Sequence, residues 1–136
     1  MHLSLSFLPL YSLLPLLATA TPSTPLTPQI GCTNAVNTTA AQEAAQYLGK
    51  YCRDKGPVTQ TTKVSWAIGD VRAYVCNYSW DSSQPCTYDE LEAAWTAIQN
   101  QCGQGMGGWW FEPDWNKAYG FDLVSVGWCT SIDMNI

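Results

Sequence analysis

The sequence is poor in the side chains that carry most enzyme chemistry. It has one histidine, His2, which sits inside an N-terminal stretch that reads as a removable leader. The processed chain would then have none. That excludes Ser-His and Cys-His nucleophile systems, histidine general bases and zinc sites built on imidazole. Positive charge is also scarce, with six lysines and arginines against eleven acids and a net charge of −5. The six are scattered along the sequence with no basic stripe, which argues against nucleic acid or anionic membrane as a partner. Beyond the leader no hydrophobic run is long enough to read as a membrane span.

The leader covers Met1–Ala20. Leu3 to Leu17 form its apolar core, Pro9 and Pro15 interrupt it, and Ala18-Thr19-Ala20 is an A-x-A cleavage site. The core falls short of the roughly 18 apolar residues that a span requires. Residues 21–29 form a Pro/Thr-rich tail, extended by composition, whose hydroxyls suit O-linked sugar. Residues 30–136 are long enough for one domain and too short for two. Localisation outside the cell follows from the leader.

Against these absences stand six cysteines, Cys32, Cys52, Cys76, Cys86, Cys102 and Cys129, all downstream of the leader. An even number in a short secreted chain predicts a disulfide framework rather than metal ligands or redox thiols. Nothing in the pattern asks for a metal or a cofactor.

Two helices are legible. One covers about Ala40 to Cys52, entered by Thr39 with Gln42 three residues on, and the other about Tyr88 to Cys102, entered by Thr87 with Glu90 three residues on. Their apolar positions repeat: Ala41, Ala44, Ala45, Leu48 and Cys52 in the first, Leu91, Ala94, Trp95, Ile98 and Cys102 in the second. Both trace a single buried helical face. A hairpin pattern follows each helix. The first alternates Val64, Trp66 and Ile68 with polar neighbours, turns at Gly69-Asp70 and returns through Cys76. The second runs from Trp109-Trp110-Phe111 through a loop at Pro113 to Asn116 and on from Tyr119 to about Val126. The order helix, hairpin, helix, hairpin predicts an α+β sandwich, a four-stranded antiparallel sheet with both helices on one face and disulfides stapling the layers. Pseudo-equivalent helices lying side by side suggest the pair Cys52–Cys102. Cys76–Cys86 would close the loop between them, leaving Cys32–Cys129 to tie the two ends.

The run Gly103-Gln-Gly105-Met-Gly107-Gly108 matches G-x-G-x-x-G, but it leaves a helix and enters a strand. Phosphate-binding loops do the reverse, so Gly103 reads as a helix cap. Glu112, Asp114 and Asp122 lie near Trp109, Trp110 and Trp115, and acids beside rings are the ingredients of a glycosidase cleft. The same acids also suit solvated loops. Exposed rings in a row would make a platform for sugar or protein, which singles out Trp109, Trp110, Trp115, Glu112 and Asp114 as binding residues. Trp66 and Trp95 fall on faces expected to be buried. Asn37-Thr-Thr and Asn77-Tyr-Ser are N-glycosylation sequons, and their use requires both asparagines to be exposed.

The stretch Val71-Arg-Ala-Tyr74-Val-Cys76-Asn77-Tyr78, then Cys102-Gly103 followed by Gly108-Trp109, then Trp115-Asn-Lys117-Ala-Tyr119-Gly120, resembles a group of small fungal secreted proteins. These are the effectors grouped as necrosis-inducing factors, whose fold is similar to that of the viral killer toxins of smut fungi. The likeness covers about Cys32 to Met134. It implies a disulfide-stapled α/β sandwich and a secreted effector or toxin-like protein acting on a host plant or a competing microbe without catalysis. The killer toxins are associated with blocking calcium uptake through basic surface residues. An acidic chain departs from that pattern, and only the cysteines carry over. Three functions are therefore weighed: a monomeric effector that binds a host or competitor target, a carbohydrate-binding module for cell-wall glycans, and a small hydrolase using Glu112 with Asp114 or Asp122.

Overall fold

Strand alternation and helical periodicity place most apolar residues of the described elements in one of two layers. The computed structural model describes residues 24–129, so the leader, the first residues of the Pro/Thr tail and the end of the likeness near Met134 lie outside the described residues. The elements are β1 (Gln29–Ala35), α1 (Thr38–Lys55), β2 (Lys63–Ile68), β3 (Val71–Asn77), α2 (Tyr88–Cys102), β4 (Met106–Glu112) and β5 (Lys117–Leu123). The α+β class and the two helix–hairpin units are as the pattern implies. The sheet, however, has five antiparallel strands in the order β1-β4-β5-β3-β2 rather than four. The extra strand is β1. Its sequence, QIGCTNA, has no apolar alternation because it is an edge strand that pairs with β4 alone, Ile30 opposite Trp110 and Cys32 opposite Gly108.

One face of the sheet meets both helices. Val71, Ala73 and Val75 of β3, Tyr119 and Phe121 of β5, and the flanking Ile30, Val64, Ile68 and Trp110 close on the predicted helix faces of α1 and α2. Ala41, Ala44, Leu48, Leu91, Ala94 and Ile98 have no solvent exposure. The helices meet where α1 crosses the start of α2. A Cβ on Gly49 would stand 2.8 Å from the Cβ of Tyr88, so any larger residue there would push the helices apart. The second face carries a smaller cluster of Tyr74, Cys76, Phe111 and Ala118, covered by Trp109, Tyr78, Trp128 and Cys129.

The local signals explain the element ends. Thr87 and Glu90 form the predicted capping box of α2. Helix α1 starts earlier than its apolar pattern, because Asn37 rather than Thr39 is its cap, its Oδ1 accepting from the Ala40 amide at 2.9 Å. The β2–β3 turn is as short as predicted, with Gly69 at φ +58° directly after Ile68 and Val71 opposite it.

All three expected disulfide pairs are corrected. The bonds are Cys32–Cys102, Cys52–Cys86 and Cys76–Cys129. Sheet parity gives the reason for two of them. Cys32 pairs with Gly108 on the helix face and reaches the end of α2, whereas Cys76 lies on the opposite face with Cys129. Neither Cys32–Cys129 nor Cys76–Cys86 can form through the sheet. Cys52–Cys102 fails because α1 ends near the start of α2, about 21 Å of helix from Cys102. Each bond closes 34 to 70 residues and on the chain-entropy account contributes about 4 kcal/mol. A disulfide density of this kind is typical of extracellular proteins. Among the described residues no helix is long and apolar enough to cross a membrane.

The second sequon is also corrected. Asn77 is 1% exposed, and its Nδ2 donates to the carbonyls of Val58, Thr59 and Ser82 at 2.9–3.1 Å while its Oδ1 accepts from the Ser79 amide. It clasps the loops on either side of the β2–β3 hairpin, and a glycan on Nδ2 is incompatible with that arrangement. Asn37 is exposed and its cap uses only Oδ1, which leaves Nδ2 free.

Candidate functional site

Neighbouring residues in a strand point to opposite faces, and this separates the predicted aromatic row. Trp110 faces the helices and stacks on Tyr119 at 5.8 Å. Trp109 lies on the other face, its ring flat over Gly31, where a Cβ would fall 2.1 Å from the indole. Tyr74 covers Gly120 in the same way. Trp115 and Asp114 are exposed in the β4–β5 turn. The three tryptophans occupy three different surfaces.

The acids are dispersed as well. Glu112 pairs with Lys117 at the start of β5, and Asp122 is five residues further along that strand, about 17 Å away and on the opposite face. Asp122 is buried and accepts hydrogen bonds from the hydroxyls of Thr33 and Tyr74. Burial pushes its carboxyl above the usual carboxylate range, and the Thr33 and Tyr74 hydrogen bonds and the Arg72 charge offset this only in part. A second buried polar group ties the hairpin to α2. Lys117, with no exposure, donates to the Pro85 carbonyl at 2.9 Å and to Glu90 at 3.2 Å. The Tyr119 hydroxyl faces the same carboxylate without reaching ordinary hydrogen-bond geometry. Burial alone would raise the Glu90 carboxyl. The Tyr119 hydroxyl, the Lys117 ammonium and the Thr87 amide outweigh it and hold the group below its usual value. Lys117 loses basicity through burial, which Glu90 offsets in part. This pair extends the capping box inward and so reads as an anchor for the helix N-terminus.

The surface that gathers rings is elsewhere. Tyr47, Tyr51 and Trp66 are 45%, 39% and 38% exposed, and both tyrosines pack against Trp66. Tyr47 stacks on Trp66 with ring centroids 5.7 Å apart and planes 14° from parallel, and Tyr51 tilts against the same indole at 6.3 Å. The expectation that Trp66 is core is therefore wrong. It faces the helix layer, but β2 is the sheet edge and α1 covers only one side of the ring. Tyr47 and Tyr51 are one turn apart on α1, beside the buried stripe and outside it. Two hollows flank the rings, one of about 240 Å³ lined by Glu43, Gln46, Tyr47 and Lys50, the other of about 220 Å³ with Tyr51, Lys55, Thr59 and Thr62 on its walls. A wider groove of about 550 Å³ runs between α1 and the start of α2, with Lys50 and Arg53 on one wall, Tyr88 and Asp89 on the other, and the Cys52–Cys86 bond on its lining. The i, i+4 spacing of Tyr47 and Tyr51 is the sequence signal for this surface, and it lies outside the apolar repeat that marks the buried face.

The fold gathers charge there too. Lys50, Arg53 and Lys55 are three of the chain's six basic residues, and only Asp54 opposes them in that stretch. Lys50 and Arg53 approach Asp54 at 3.5 and 3.7 Å, exposed pairs that contribute little. Tryptophans are exposed singly at Trp80, in the loop after β3, and at Trp115. Among the described residues no group of acids and cysteines converges to hold a metal. No family model, no curated protein and no solved structure matches the chain.

Proposed function

We propose that the protein is a secreted effector or toxin-like protein that binds a target of a host or a competing microbe and works without catalysis. The observation that carries this reading is the Tyr47–Trp66–Tyr51 surface. Three large rings stay exposed, Tyr47 and Tyr51 each packed against Trp66, while Ala41, Ala44, Ala45 and Leu48 form the buried face of the same helix, and rings of this kind supply anchors for recognition. The helix beneath them is fixed by a disulfide at Cys52, so the surface is rigid and loses little freedom on binding. The dispersed carboxylates give the hydrolase reading no paired acid and nucleophile. The resemblance to the necrosis-inducing effectors supplies the class of target.

Purified, oxidised protein infiltrated into leaves of a broad host panel should provoke necrosis or suppress immunity. Trp66→Ala should abolish the response at equal dose while its thermal midpoint stays close to wild type. Silence of the wild-type protein across the panel would contradict the proposal.

A further inference from the structure

We propose that the Tyr47–Trp66–Tyr51 surface recognises an anionic oligosaccharide, a chain of uronic-acid sugars, taking one ring and one cation per sugar unit. The inference rests on the binding reading above and names the partner's chemistry. A pyranose ring has an apolar C–H face, which packs on an aromatic ring, and a polar edge, which needs hydrogen-bonding side chains. The surface repeats that combination. Tyr47 borders the hollow that holds Glu43, Gln46 and Lys50, and Tyr51 borders the one that holds Lys55, Thr59 and Thr62. The two tyrosines are separated by one helical turn, a rise of about 6 Å, which is close to the advance of one sugar along a chain. Trp66 bridges them from β2.

Charge selects an acidic sugar over a neutral one. The hollow beside Tyr47 contributes Lys50, with Glu43 also on its wall, the hollow beside Tyr51 contributes Lys55 and Lys63, and Arg53 stands beside Lys50, in a chain whose overall charge is −5. Cations near the end of a helix also suit its dipole, but that account does not require them to alternate with exposed rings. A uronate places one carboxylate on each apolar ring, which matches the alternation Tyr47, Lys50, Tyr51, Lys55 along α1. The exposed Lys50–Asp54 contact of 3.5 Å is weak enough to exchange for a ligand carboxylate. A protein partner would instead favour a continuous apolar centre with a polar rim, whereas here polar groups stand directly beside each ring.

Calorimetric titration of the oxidised protein with hexamers of galacturonate, glucose and N-acetylglucosamine tests this. The galacturonate hexamer should bind at least tenfold more tightly than either neutral hexamer. Trp66→Ala and Tyr47→Ala should each weaken it about tenfold, both with wild-type circular dichroism. Tyr47→Ala keeps the test decisive if Trp66→Ala misfolds. The double variant Lys50→Glu/Lys55→Glu should weaken binding at low salt, and the difference should shrink toward 1 M salt, where charges are screened beyond about 3 Å. Equal affinity for neutral hexamers, binding undiminished in the variants, or silence with all three sugars would overturn the inference. So would capture of the protein by anionic phospholipid vesicles in place of the sugar. If the leaf response needs Trp66 while every sugar is silent, the oligosaccharide falls and the binding surface stands. If galacturonate binds as described and leaves never respond, the effector reading falls and this inference stands.

Discussion

The two helix–hairpin units of this protein share one apolar pattern, and their helices put rings in opposite places. Ala45 of α1 and Trp95 of α2 occupy the same position in the repeat. Trp95 is buried edge-on against Phe121 at 5.0 Å, so the second unit fills its core with a ring. The first unit fills the matching place with a methyl group and sets Tyr47 and Tyr51 outside. In the second unit Ala97 and Gln101 hold those positions. The charges divide similarly. Helix α2 has Asp89 and Glu90 in its first turn and no base in its last, while α1 has no acid in its first turn and ends in Arg53 and Lys55. Trp95 is enclosed by the core, whereas Tyr47, Tyr51 and Trp66 remain exposed, and the recognition proposal rests on that difference.

The sharpest way to break that comparison is to truncate a ring in each unit. Trp95→Ala should cost about 4 kcal/mol of stability through lost burial and a cavity, and Trp66→Ala about 1 kcal/mol, both read by denaturant unfolding. Similar losses would dissolve the distinction. The link between units comes next. Replacing Cys52 and Cys86 together by alanine should cost about 4 kcal/mol, and non-reducing peptide mapping of the wild type should recover Cys32–Cys102, Cys52–Cys86 and Cys76–Cys129.

The partly buried Glu90 and the buried Asp122 then predict opposite pH dependence. Glu90 is held below its usual value by its partners, so its contribution is present above the ordinary carboxylate pKa and is lost as pH falls through the lowered folded value. Glu90→Gln should remove that loss and cost about 2 kcal/mol at pH 7 by leaving Lys117 without its counter-charge. Asp122 is raised by burial, so the folded state holds its proton longer. Its unfavourable contribution appears as pH rises from the ordinary value through the raised one. Asp122→Asn should flatten that decline, changing stability at pH 7 by less than about 1 kcal/mol. Unfolding free energy measured from pH 3 to pH 7 distinguishes the two variants.

Helices and hairpins were legible because their signals are local: period, capping box and the Gly69 turn. Strand β1 was not, since an edge strand held by one neighbour need not alternate. Disulfide pairing requires knowing which face of the sheet each cysteine occupies. That follows from register, and the symmetry of the two helices suggested a different answer. Asn77 carries a sequon whose burial depends on the carbonyls of Val58 and Thr59, from the loop before β2, and of Ser82, from the loop after β3. The candidate surface was hidden for a related reason. Trp66 alternates like a core residue, and only the sheet order makes its strand an edge. The row of Trp109, Trp110 and Trp115 failed on parity alone, which adjacent tryptophans in one strand could already have signalled.

We propose that Tyr47, Tyr51 and Trp66 of the first unit serve recognition, whereas Trp95 of the second serves stability. The most direct test of this division is the leaf-infiltration dose response of Trp66→Ala beside wild type at matched concentrations of folded, oxidised protein. Trp66→Ala should remain folded and provoke no response. A folded variant with the wild-type dose response would contradict it.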